Sequence, residues 1–236
     1  MNIEFKGQTI STLYEWRERV FTGEKIKHWK AGYSAYSLAD FILNKDGLNT
    51  VSQLIETALG EDFKPERAHP EHEVKFDKYG HGREHDLAIW GKTPSGKKVF
   101  IGLEAKVVEA FGNSISQVYK AAKTKELKGE KTNAIKRIGE LLKFNFSEES
   151  GDNNHLRYQL LHSTAGTLSV AADVHVLLIL VFKTFAYSEV EGQKNKKDFL
   201  QFVQRLKSKA VGGHYRVTLD GKELIIIYTE IDFKNS

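Results

Sequence analysis

Residues 84–107, EHDLAIWGKTPSGKKVFIGLEAKV, decide the fold. The first part alternates, with Asp86, Ala88 and Trp90 on one side and Leu87 and Ile89 on the other, which predicts a strand over 84–90. Residues 91–98 are rich in turn formers and are expected to reverse the chain. A second strand follows over 99–107. Its odd positions, Val99, Ile101, Leu103, Ala105 and Val107, are all apolar and should face a core. Phe100, Gly102, Glu104 and Lys106 then occupy the other face, so Glu104 and Lys106 leave the strand on one side. Antiparallel pairing through the turn is expected to bring Asp86 within reach of Glu104.

Upstream, residues 11–30 and 34–44 read as helices broken at Gly32. Residues 51–59 form another, with Val51, Leu54, Ile55, Ala58 and Leu59 on one face, Thr50 as cap and Gly60 as stop. Pro65 and Pro70 bracket an irregular stretch, and residues 71–76 are extended. Downstream, helices are expected over 114–127, 133–144, 156–172 and 196–209, with a polar loop at 146–154. Residues 175–182 are almost continuously apolar, as in a central strand buried on both faces. Strands at 215–219 and 223–231 flank Asp220-Gly221, a hairpin signal. The order predicts an α/β (α+β) chain in three layers about a mixed sheet.

The chain has 236 residues, 40% hydrophobic and 28% charged, enough for a sizeable folded core. Cysteine is absent, which excludes disulfides, thiolate nucleophiles and Cys-ligated zinc. The N-terminal segment is too polar for a signal peptide and the longest apolar run is too short for a membrane span, so a soluble cytoplasmic protein is expected. There is no Walker-A, GxGxxG or HExxH arrangement. A net charge of +4 is a mild bias, but basic residues gather at 118–143 and 194–216. Either stretch is a solvated face or a phosphate-neutralising surface.

Phosphodiester cleavage has a use for the trio Asp86, Glu104 and Lys106. Two carboxylates offer hard oxygen ligands to Mg²⁺ or Mn²⁺, and the carbonyl of Ala105 is a geometric candidate for a further ligand. A lysine ammonium beside the ion orients water and opposes the charge that builds on the phosphate. An ordinary surface ion-pair cluster would give the same spacing. Arg83, after two glycines in Tyr79-Gly80-His81-Gly82, either clamps a phosphate or pairs internally with Glu84 or Glu104.

HDLAIW with Asp86 and GLEAKV with Glu104 and Lys106 resemble the PD-(D/E)xK nuclease superfamily over roughly residues 50–185. That resemblance implies a restriction-endonuclease-like αβββαβ core at 50–185, preceded by a helical extension at 1–49 and followed by a helix and hairpin at 186–236. It also implies Mg²⁺- or Mn²⁺-dependent hydrolysis of DNA, leaving a 5′-phosphate. Double-stranded DNA cut in restriction or phage defence, by a homodimer, fits such enzymes; a non-cutting nucleic-acid-binding or regulatory protein on the same scaffold is the alternative. Members often carry a glutamate on the first helix, for which Glu56 is the candidate. Gln117 is a candidate for a water or phosphate contact, although the Gln-x-x-x-Tyr pattern of some members is not matched. Lys120 and Lys123 are candidates to grip the backbone. The proline of the family's name is replaced by His85.

Overall fold

The computed structural model describes residues 1–146 and 152–233. Residues 147–151 of the expected polar loop lie outside them. The chain folds as three layers: helices, a nine-stranded mixed sheet, and helices again. Among the described residues no helix is long and apolar enough to cross a membrane.

The decisive hairpin forms as strands β4 (Arg83–Lys92) and β5 (Lys98–Lys106), paired antiparallel from Lys92–Lys98 to Leu87–Leu103. The odd positions of β5 do face a core, shared with helices α1 (Leu13–Val20), α2 (Ser34–Asn44) and α3 (Gly47–Leu59). The even face is not at the surface. Phe100, Gly102, Glu104 and Lys106 are all buried, because helix α6 (Tyr158–Ser169) lies in the second helical layer over this part of the sheet.

Strand β3 (Lys64–Val74) pairs antiparallel with β4 along almost its whole length. It starts well before the expected strand and contains both prolines. Pro65 sits where the β3–β4 register shifts. Beside Pro70 the outer side of β3 is unpaired, because the short strand β1 (Asn2–Phe5) meets β3 only at Arg67 and Ala68. Proline is tolerated in both settings. β1 itself, turning into β2 (Gln8–Thr9), is a strand within the expected helical extension. The helix expected over 11–30 also divides: Phe21 and Thr22 leave helical angles, and a 3-10 turn follows over Gly23–His28.

After β5 come α4 (Ile115–Leu127), α5 (Ala134–Asn145) and α6, then β6 (Val174–Lys183), parallel to β5. β6 is buried along nearly all its length between β5 and the parallel strand β9 (Lys222–Asp232). Helix α7 (Glu189–Arg205) packs Phe199, Phe202 and Val203 into the second core. β7 (Lys209–Val211) and β8 (His214–Leu219) complete the sheet. The β8–β9 turn carries positive φ at both Asp220 (49°) and Gly221 (73°), the backbone that Asp-Gly supplies in a tight hairpin.

Candidate active site at a fork in the sheet

The site lies where the sheet divides. β4 and β5 stop pairing after Leu87–Leu103, while β3–β4 continues to Val74–Arg83 and β5–β6 continues to Lys106–Val181. Asp86 stands at this fork. Its Oδ2 accepts the Ala105 N–H at 2.7 Å, taking the place of a main-chain partner.

The strand phase expected for Asp86 breaks here. His85 turns to the α6 side and reaches Glu104, whereas Asp86 lines cavities on the other side with Ser34, Ala35 and Glu71. Glu71 lies across from Asp86 on β3, between the pairs Pro70–Leu87 and His72–His85. Its φ of +47° marks the matching break on that strand.

On the α6 side, Glu104 is 1% exposed and completely enclosed by donors. Arg83 grips it with both nitrogens of its fork, Nε to Oε1 at 3.1 Å and Nη2 to Oε2. His85 Nδ1 lies 3.0 Å from Oε1. Because a carboxylate only accepts, this contact requires the proton on Nδ1. Ser163 donates to Oε1 at 3.2 Å and Gln159 to Oε2 at 3.0 Å. Burial raises the Glu104 pKa, but Arg83 and the His85 hydrogen bond outweigh it and hold the carboxyl at about 2.

Two glycines permit this enclosure. A Cβ at Gly102 would stand 2.6 Å from both the His85 ring and Thr167 Oγ1; one at Gly166 would stand 2.7 Å from Arg83 Cβ. His85 has a reason to be there: its ring N–H supplies a donor to Glu104.

Lys106 is 6% exposed and, among the described residues, makes no side-chain hydrogen bond or ion pair. Its ammonium lies 5.7 Å from the centroid of the Phe111 ring. Its charge acts on Asp86, Glu104 and Glu109 together. These three carboxylates offset the burial of the ammonium from a distance, in place of a direct ion pair.

On the opposite side of the fork is a cavity of about 450 Å³, with Glu71, Glu84, Asp86 and Glu109 among its walls and Lys25, Lys27, His28 and Lys30 along the 3-10 turn and the residues after it. Lys25 Nζ bridges Glu71 at 3.0 Å and Glu84 at 2.6 Å. Glu109 fastens α2 to the end of β5, accepting from Ser34 Oγ and Val107 N–H, each at 2.8 Å. Burial, reinforced by the Asp86 charge, pushes Glu71 up to about 7. Burial and the Glu104 charge push Asp86 up to about 6.

Other expected site residues do not join this group. Glu56 bonds to the Phe63 N–H at 3.2 Å at the end of α3. Gln117 is spent on a capping box with Ser114 at the start of α4. Lys120 and Lys123 are exposed on α4, and Lys123 pairs with Glu126 at 2.9 Å. The residues that do assemble around Glu104 include Gln159 and Ser163, one turn apart on α6. Lys25 and Ser163 gave no signal in the sequence.

Asp86 and Glu104 do not form a ready divalent-cation site in this arrangement. Both Glu104 oxygens are taken by protein donors, and among the described residues no group of three or more His, Asp or Glu could hold a metal ion.

Residues 9–233 match the model of a family described as a domain of unknown function, DUF6946, and the chain belongs to that family. No curated protein and no solved structure matches it.

Proposed function

We propose that the chain is a nuclease of the PD-(D/E)xK type that hydrolyses DNA phosphodiester bonds in the presence of Mg²⁺ or Mn²⁺. The observation that carries the reading is the fork itself: Asp86 at its mouth, Glu104 and Lys106 on the adjoining strand, and Lys106 buried near three carboxylates with no side-chain hydrogen bond or ion pair among the described residues. The order α3, then the antiparallel β3–β4–β5, then helices, then β6 parallel to β5 agrees with the αβββαβ core that the sequence resemblance implies.

The chain's own groups supply the following chemistry. Lys106 offers fixed positive charge where a phosphate gains negative charge in the transition state. Lys27, His28 and Lys30 border the neighbouring cavity and neutralise backbone phosphates there, a role the sequence assigned to Lys120 and Lys123. The acidic floor of Glu71 and Asp86 repels a polyanion until a cation or proton neutralises it. Double-stranded DNA, cut by a pair of copies in restriction or phage defence, is the setting that belongs to this reading.

Glu104's complete enclosure favours a second reading, a nucleic-acid-binding protein without turnover. Incubation of purified protein with supercoiled plasmid and Mn²⁺ or Mg²⁺ separates the two. Under the nuclease reading, wild type cuts, and Asp86→Asn and Lys106→Ala each lower the rate by about 10²–10³-fold. Binding to DNA or RNA without cutting in either metal assigns the second reading.

A further inference from the structure

The rim of the cavity beside the fork carries two aromatic rings that the cleavage chemistry leaves unused, Tyr33 and Phe185. Tyr33 lines the cavity and is 38% exposed. Phe185 lies just after β6 and is 72% exposed. The two meet at Gly32, which precedes Tyr33 and touches the Phe185 ring: a Cβ at Gly32 would stand 2.5 Å from Phe185 Cζ and 2.6 Å from Cε1. The contact is made by the far edge of the ring, and most of the side chain is left to solvent.

Both rings stand on a fixed base. Gly32 has a φ of +80°, a backbone that L side chains rarely adopt, and its carbonyl accepts from Thr184 Oγ1 at 2.7 Å. The Tyr33 N–H bonds to the Lys30 carbonyl at 3.1 Å. Just before, Trp29 packs against Phe21 and Tyr36, with ring centroids 5.1 and 5.5 Å away. Apolar surface held open on a tightly built segment suits a ligand that brings a flat apolar face of its own.

The charge around the rings narrows that ligand. Lys27, His28 and Lys30 line the same cavity, and Lys30 Nζ lies 5.8 Å from the centroid of the Tyr33 ring. Lys27 pairs with exposed Glu24 at 3.1 Å, whereas Lys30 has no acidic partner among the described residues. Cations interleaved with aromatic rings suit a polyanion that also offers flat bases, which is a polynucleotide. In a duplex each base is already stacked on both faces and hidden from such rings. In an unpaired strand those faces are free.

We propose that Tyr33 and Phe185 form a stacking platform for unpaired bases, so that the fork receives a single-stranded stretch of polynucleotide, at a strand end or in an opened duplex. The proposal rests on the nucleic-acid reading of this cavity and narrows its substrate. Lys27, His28 and Lys30 hold the backbone of either form, and the rings confer the preference.

Fluorescence anisotropy tests this with divalent cations chelated, using a labelled mixed-sequence DNA strand about 16 nucleotides long and the same strand annealed to its complement. The wild-type chain is expected to bind the single strand more tightly. Phe185→Leu, which still covers Gly32, and Tyr33→Ala should each lower the ratio of single-strand to duplex affinity about fivefold or more. Lys30→Ala should weaken both forms and leave the ratio in place. Equal or tighter binding of the duplex overturns the proposal, as does binding of neither form or a ratio unmoved by both ring variants. If circular dichroism shows one ring variant misfolded, the other decides. The same strand made as RNA identifies the source: tighter binding of RNA, with the same loss in the ring variants, keeps the platform and assigns it to RNA. Plasmid cutting in Mn²⁺ with no single-strand preference defeats the platform and leaves the nuclease. A single-strand preference lost in the ring variants, with no cutting in either metal, keeps the platform and defeats the nuclease.

Discussion

The two sides of the fork handle buried negative charge in opposite ways. On the α6 side, Glu104 is surrounded by donors and stays ionised down to a pH of about 2. On the side of the N-terminal helices, Glu71 and Asp86 face each other across β3 and β4, with Lys25 bound to Glu71 and the Ala105 N–H bound to Asp86. Their pKa values rise to about 7 and 6. The difference teaches that burial alone does not set the state of a carboxyl group. The number and charge of the donors brought to it decide whether burial ends in a firm anion or in a group ready to take a cation or a proton.

The largest expected effect comes from breaking the enclosed side. Glu104→Ala leaves the Arg83 guanidinium without its carboxylate and strands three further donors, and should cost about 3–5 kcal/mol in urea unfolding. An effect below about 1 kcal/mol would mean that water already screens the pair. Next, Gly102→Ala places a methyl group against His85 and Thr167, expected to cost about 1–3 kcal/mol as an overpacked core.

The smallest change sharpens the open side. Glu71 has a folded pKa above its ordinary value of 4.5, so the folded chain holds a proton that the unfolded chain has released. Its contribution therefore turns against folding as pH rises from about 4.5 to about 7 and is constant above that. Glu71→Gln should flatten the stability profile in that window and raise the melting temperature at pH 8 relative to wild type. An unchanged profile would show that Lys25 fully compensates the charge. Glu104 has the opposite sign: its contribution is present above about 4.5 and is lost as pH falls towards 2.

Much of the fold could be read directly. The alternation in β5 identified the face that packs on α1–α3, the turn residues 91–98 joined it to β4, and the unbroken apolar run marked β6 as a central strand. What failed to show was of two kinds. β1 is four residues long and becomes a strand only because β3 offers an edge, so nothing local announces it. Pro65 and Pro70 spoke against a strand, and the register shift and open edge that admit them are properties of the sheet.

The site divides in the same way. Asp86, Glu104 and Lys106 were singled out by spacing along the strands, and Arg83 as a partner either for phosphate or for Glu84 or Glu104. The sequence by itself determined which residues stand near the end of the β4–β5 hairpin, because strand pairing through a short turn is local. Only the tertiary structure decided what each one does there. Glu104 owes its enclosure to Gln159 and Ser163, more than fifty residues away, and Asp86 owes its outward turn to a break shared with Glu71 on another strand. Hydrogen-bond saturation depends on which groups fill the same few ångströms, and no local pattern in the chain specifies that.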